Sequence, residues 1–490
     1  MRRNALPLSA FACAFLFALF PLTDTDIWWH LACAREWVVT WSPVREGLPN
    51  IHEYFQQVVY AVYSAGGAPL LVIFKALLWG LVLALFLRGR HGDVLRNPVP
   101  LAAAAVVLFV FRYQLEMRPV LFSLVFLGIY WNAVPWLLPR LQLLGERRSG
   151  RTWERSDLKT VGVALALLAV QWVWCRVQGL YILGALFALL CLLPVASRRS
   201  KIPALFVVAL FAMPFLHRNG LATFLYPFGL LDRLLGLSPS AASFASGVAE
   251  NRSPVTLLMA GENVLASTLM VVFALAGIAL AVYRVARSRE NLVLWTTLLV
   301  TSAMALSAER NFVLFLPIFL SVLIHPAHLI SHSTFHIPHF FSSNICRYSS
   351  IVVLAFLLGF WARSVSAYDS WVAYQRVPVG AAAWMKSHPH EGRLFNDDRA
   401  GGYLAFVNPA DSVYIDGRFI LKTADFFERY MRYSEAPGIF LFDMESSGVD
   451  RAVFPLRYYA RWGKVLAALE ASPEWRVAYV DAYFIVFARK

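Results

Sequence analysis

Residues Val264–Tyr283 read VLASTLMVVFALAGIALAVY, a run without one charged side chain, preceded by Glu262 and followed by Arg284 and Arg287. At about 1.5 Å per residue a helix of this length covers roughly 30 Å, the depth of a bilayer's hydrocarbon core. In that medium a helix is the form in which one segment satisfies all of its own backbone polar groups. Similar runs predict spans near 5–22, 68–87, 98–112, 119–138, 160–175, 180–196, 202–217, 264–283, 292–308, 311–325 and 350–364. The 98–112 and 311–325 runs are short enough to be re-entrant. Arg2 and Arg3 ahead of the first run resemble a signal peptide, but no small-x-small cleavage site follows, so a retained helix is expected.

Composition agrees. Of 490 residues 59% are hydrophobic and 15% charged, with mean hydropathy +0.58, whereas soluble domains carry about 25% charged residues. An ordinary soluble enzyme is excluded. Cys13, Cys33, Cys175, Cys191 and Cys346 are odd in number and scattered, which offers neither a disulfide framework nor a zinc knuckle.

The net charge of +14 is mostly topological. With the N-terminus inside, the loops 1–4, 88–97, 139–159, 197–201, 284–291 and 326–349 hold 18 Lys and Arg against 5 Asp and Glu. The outer loops up to residue 310 hold 9 against 10, and the tail from 363 onward 16 against 15. Basic loops facing anionic lipid account for that bias, so no nucleic-acid partner is expected. The fold class is an α-helical polytopic membrane protein of about eleven spans, N-terminus in and C-terminus out, with a C-terminal α/β extracytoplasmic domain. Residues 1–364 form the membrane domain, with outer loops 23–66 and 218–263, and 365–490 the tail domain. The tail reads as strands near 393–396, 412–416, 449–454, 475–480 and 483–488, with helices near 380–387, 400–407, 421–436 and 457–471.

Two carboxylates, Asp24 and Asp26, follow the first apolar run, where a helix C-terminus disfavours anions. One account makes Asp24 or Thr25 the cap of an interfacial helix over 26–41, with Trp28, Trp29, Trp37 and Trp41 as an aromatic belt. The other has Asp24 and Asp26 facing a cavity as general base or as ligands for Mg²⁺ or Mn²⁺. His52 and Glu53, later in the same loop, are candidates for the other half of that site. Isolated arginines, among them Arg118, Arg252 and Arg310, sit at outer helix ends. They suit either snorkelling anchors or a planar grip on phosphate. His325, His328, His332, His336 and His339 read as an interfacial segment. His388 and His390 read as polar surface in a turn, and Asn396–Asp398 and Asp416–Arg418 as either turn chemistry or a ligand edge at strand ends.

The ordered blocks Asp24-x-Asp26-x-Trp28-Trp29-His30, His52-Glu53, Arg118-Pro119, Glu250-Asn251-Arg252-Ser253-Pro254, Arg310-Asn311, Gly401-Gly402-Tyr403-Leu404 and Asp416-Gly417-Arg418 resemble bacterial polytopic membrane proteins related to the GT-C superfamily. That superfamily comprises glycosyltransferases that use polyprenyl-phosphate sugars. The resemblance implies catalytic or metal-binding roles for Asp24 and Asp26, with His52 and Glu53 beside them. It also implies contact with the lipid phosphate by Arg118 or Arg310, and His30 and Arg252 are further candidate substrate contacts. The implied partners are membrane lipid, a polyprenyl-phosphate sugar donor and a glycan, lipid or protein acceptor of the envelope, in a bacterial inner membrane. The alternative is a non-catalytic membrane scaffold or a transporter in envelope assembly. Transport should show repeated halves and several mid-span charges, whereas Lys75 is the basic residue placed well inside a span.

Overall fold

The computed structural model describes residues 5–88, 97–146, 153–195, 200–235, 248–287, 290–324, 344–456 and 460–490. Helices occupy the expected apolar runs: Ala5–Phe17, Glu53–Phe86, Val99–Val110, Pro119–Glu146, Arg155–Trp174, Ile182–Leu192, Ile202–Ala212, Val264–Arg287, Leu292–Ser307, Phe312–Leu323 and Asn344–Ser366. Among the described residues, five are long and apolar enough to cross a bilayer: Glu53–Phe86, Pro119–Glu146, Arg155–Trp174, Val264–Arg287 and Asn344–Ser366. A sixth crossing arises if Ile202–Leu216 and Gly220–Asp232, bent by 106° at their break, are one span. Four further apolar helices have 10–17 residues, too short to cross alone by that measure. Glu53–Phe86 is itself broken at Gly66 and Gly67, just ahead of Pro69.

The chain divides into two compact units. The first contains Met1–Leu19, Ile73–Leu234 and Val248–Ala367, and the second gathers Phe20–Val72 with Tyr368–Lys490. In the first unit Phe312–Leu323 is apolar on every side and buried along almost its whole length, as a central helix must be. Aromatic contacts tie Ala5–Phe17 and Asn344–Ser366 to Val99–Val110: Phe109 meets Phe17 at 5.5 Å and Trp361 at 6.0 Å between ring centroids. Tyr130 and Trp174, buried in this unit, find partners, as their desolvation demands. Tyr130 donates to Gln171 Oε1 at 2.8 Å, and Trp174 Nε1 donates to Ser123 Oγ at 2.8 Å.

The second unit holds a four-stranded sheet of β1 (Arg393–Asn396), β2 (Val449–Pro455), β3 (Trp475–Val480) and β4 (Phe484–Arg489), in the order β1-β2-β4-β3. β1 and β2 are parallel and the other pairs antiparallel. Its core is strongly aromatic, built on Phe395, Tyr414, Tyr430, Tyr433, Phe440, Phe454 and Trp462. The strand expected at 412–416 does not form. Asn396 Oδ1 accepts from Tyr414 N at 2.7 Å, so a side chain replaces the ladder, and Val413 makes only an isolated bridge with Thr40. The helix expected over 421–436 becomes Ala424–Tyr433, capped by Thr423, and a separate Pro437–Ser446. The helix expected from 457 begins at Gly463, after a 3₁₀ turn Ala460–Trp462.

Phe20–Val72 is woven into the same unit by backbone hydrogen bonds. Leu22 bonds Trp371 O at 2.9 Å, Trp41 bonds Val413 O at 3.0 Å, Val413 bonds Val39 O at 3.1 Å, and Arg45 bonds Leu421 O at 2.7 Å. Lys422, buried beneath this seam, donates to Ser42 Oγ at 2.7 Å, to the carbonyls of Ser42 and Pro43 at 3.1 Å, and to Thr40 Oγ1 at 3.3 Å. Burial without a carboxylate among these partners pulls its ammonium down to about 8.

Candidate active site

The first helix ends at Phe17, and Asp24 and Asp26 begin a second one, Asp26–Cys33. Asp24 is buried, and its Oδ1 accepts the backbone N–H of Asp26 at 3.3 Å, a carboxylate at a helix N-terminus where the dipole favours it. The expected helix over 26–41 stops at Cys33, because the chain beyond turns to make the bonds just described. The tryptophans are packing residues, not a headgroup belt. Trp28 is fully buried against Tyr63, Tyr403 and Phe406, while Trp41 packs on Tyr414 and donates to Leu394 O at 2.8 Å.

What fixes the Asp26 helix is the C-terminal part of the same unit. Helix Asp398–Val407 lies against it, and Gly402 sets how near: a Cβ at 402 would come within 2.8 Å of Trp29 N. Gly417, at φ +86°, presents its bare Cα side to Asp26, whose Oδ1 would lie 3.5 Å from a Cβ there. Beside it Arg418 and Asp416 form a buried ion pair, Nε to Oδ2 at 2.8 Å and Nη2 to the same oxygen at 2.5 Å. Arg418 also donates to Trp37 O at 2.8 Å and lies over the rings of Trp37 and Trp29, at 4.6 and 5.5 Å. The guanidinium is thus desolvated but fully compensated, the condition under which a buried pair specifies geometry. Asp397 caps Asp398–Val407, accepting from Arg399 N at 3.1 Å and from Trp462 Nε1 at 2.7 Å. Burial, with the charge of Asp398 alongside, pushes its carboxyl up to about 7.

His30 and His52, distant in the loop, meet in space. Their ring centroids are 5.3 Å apart, with Phe55 4.7 Å from His30 and Trp29 6.2 Å from His52. His30 is buried and His52 half-buried. Asn50 orients the turn, accepting from His52 N at 3.2 Å and exchanging amide bonds with Gln56, and Glu53 opens the helix that follows. Asp24, Asp26, His30, His52 and Glu53 therefore all belong to the second unit.

The arginines belong to the first unit, where they form one cluster around the turn Ala249–Asn251. Arg118 donates both Nη groups to the two oxygens of Glu250, each at 2.7 Å. Arg252 donates to both oxygens of Glu262 at 2.9 and 2.5 Å, and Arg310 Nη1 donates to Asn251 Oδ1 at 2.7 Å. Glu309 N bonds Arg252 O at 3.0 Å; burial, then the nearby charge of Glu250, raises the Glu309 carboxyl above its ordinary range. Glu250 and Glu262 thus engage two of the three candidate phosphate-binding forks with carboxylates.

Among the described residues no three His, Cys, Asp or Glu side chains converge as a metal cage. Asp24 and Asp26 offer two carboxylates, one already committed to a backbone N–H. A Mg²⁺ or Mn²⁺ ion would be held by these carboxylates, with water and substrate phosphate completing its shell, and no step below is routed through one. The histidines of 325–339 lie outside the described residues. His390 is not surface as expected: it is buried, with Nδ1 2.8 Å from Asp450 Oδ1 and Nε2 3.8 Å from Asp411 Oδ2.

Sequence reasoning singled out Asp416–Arg418 but not its role. Gly-containing Asp416-Gly417-Arg418 was the available signal, a turn residue between two opposite charges.

No protein-family model matches this chain, and no curated protein matches it either. Solved structures do. The apo oligosaccharyltransferase of Archaeoglobus fulgidus is 12% identical with a TM-score of 0.56. The same organism's oligosaccharyltransferase AglB bound to an inhibitory peptide and a dolichol-phosphate is 14% identical with a TM-score of 0.52. The enzyme tethered to an acceptor peptide containing the NVT sequon is 13% identical with a TM-score of 0.53. Each similarity covers 99% of this chain and 74% of the archaeal one. This chain therefore shares the fold of these archaeal structures over almost its whole length.

Proposed function

We propose that this protein is a membrane-embedded glycosyltransferase that moves a sugar from a polyprenyl-phosphate donor to an envelope glycan, lipid or protein at the outer face of a bacterial inner membrane. The observation that carries the proposal is the half-buried Asp26 carboxylate at the start of a short helix, with Gly417 and a buried Asp416–Arg418 pair beside it. A carboxylate in such a partly desolvated position is a candidate general base. The shared fold supports the same reading, since the archaeal structures include a dolichol-phosphate and an acceptor peptide.

In the proposed reaction Asp26 takes the proton from the acceptor hydroxyl or amide as that group attacks the anomeric carbon. The bond from that carbon to the phosphate oxygen breaks with inversion, and the departing lipid phosphate is held by arginine. Asp24, tied to the helix N-terminus, serves as a positioning residue. Arg118 is the favoured phosphate contact because both its Nη groups already grip an oxyanion in two-point fashion. His30, His52 and Glu53 share the second unit with Asp26, and Arg252 and Arg310 share the first unit with Arg118.

The test is Asp26→Asn in the purified full-length protein with a polyprenyl-phosphate sugar donor. Transfer should fall about 10²–10⁴-fold with the fold retained. Unchanged turnover rejects Asp26 as the base, and absence of transfer by the wild type favours the scaffold alternative.

A further inference from the structure

We propose that Glu250 is a built-in stand-in for the donor phosphate, occupying the Arg118 fork until a polyprenyl phosphate displaces it. This rests on the reading of Arg118 as a phosphate contact. The geometry is that of a ligand and not of a chance surface pair: both Glu250 oxygens meet both Arg118 Nη groups at 2.7 Å, the arrangement a phosphate would copy. Glu250 is delivered to that position by a built turn. Asn251 accepts from Arg310, Arg252 is fixed by Glu262 and by its own carbonyl bond to Glu309 N, and Ser253 caps the next helix, Pro254–Met259, by accepting from Thr256 N at 3.0 Å.

The pair is also placed to exchange. Arg118 and Glu250 side chains are 29% and 45% exposed, so water can reach both and separating them costs little. The departing polyprenyl phosphate is a monoester that carries about −1.5 to −2 charges and more acceptor oxygens than a carboxylate, so it competes favourably for the same fork. A charge-matched occupant keeps the arginine ordered between turnovers and sets a threshold that uncharged lipids do not cross.

The experiment measures binding of undecaprenyl phosphate to the full-length protein in nanodiscs, with undecaprenol as the uncharged control. Glu250→Gln should tighten phosphate binding about three- to tenfold, the range a released exposed ion pair allows. Glu250→Ala should act in the same direction, and neither should change undecaprenol binding. Arg118→Gln should weaken phosphate binding, and in the Arg118→Gln, Glu250→Gln double variant the gain should vanish. Unchanged or weaker binding by both Glu250 variants, or a gain that persists without Arg118, overturns the stand-in while leaving the donor class intact. Absence of phosphate-dependent binding in wild type and variants alike overturns both the stand-in and the donor assignment.

Discussion

The acidic helix and the arginine cluster use the same elements, a carboxylate and a guanidinium, for opposite ends. Asp416–Arg418 is buried, with side chains 1–2% exposed, and is braced by two tryptophans and a carbonyl. Arg118–Glu250 and Arg252–Glu262 are partly exposed pairs. A buried pair resists separation because either charge left alone is stranded in a poor solvent; an exposed pair can swap partners because water covers the interval. Permanence suits the groups that align a base, and exchange suits those that receive and release an anion.

That contrast can be broken experimentally. The largest effect expected is the loss of transfer in Asp26→Asn described above. Next, Arg418→Met should destabilise the fold by about 3–5 kcal/mol, because it strands the Asp416 carboxylate. Adding Asp416→Asn should recover part of that loss. Thermal unfolding of the full-length protein reads both, and a negligible single-variant effect would put Arg418 in the exchangeable class. Gly417→Val should cost about 1–3 kcal/mol for its positive φ and should depress transfer further than stability, since the new side chain meets Asp26. Equal losses in both would make Gly417 a fold residue only. Arg118→Gln should raise the donor KM about tenfold while changing stability by under about 1 kcal/mol. The smallest effect concerns Lys422. Its ammonium is depressed to about 8 in the fold against an ordinary 10.5, so the unfolded chain binds more protons between these values and stability should rise with pH across that window. Lys422→Met should flatten the rise seen in denaturation midpoints, and a slope unchanged by the substitution would remove Lys422 as its source.

The helical runs were legible because twenty apolar residues leave a chain in lipid few choices. The sheet was largely legible as well: β1, β2, β3 and β4 fall where alternating or apolar segments bounded by turns predicted them. The missing strand at 412–416 was not, because Asn396 satisfies Tyr414 through a side chain, and no periodicity encodes that. The packing of Trp28 and Trp41 was not legible either, for a similar reason. An amphipathic aromatic serves equally at headgroups or in an aromatic core, and only its neighbours decide. Asp24 and Asp26 were visible as an odd acidic pair, but their unequal roles were not, because capping depends on where the first helix ends.

The amino-acid sequence by itself determined the apolar segments, the lopsided distribution of basic loops and the supply of acids and arginines outside them, since each follows from local composition. The tertiary structure alone decided which of these groups meet. Trp37 and Arg418 are 381 residues apart, and the glycine at 417 acquires meaning only when Asp26 is brought against it. Such contacts arise from packing two distant segments into one core, and nothing local in either segment specifies the other.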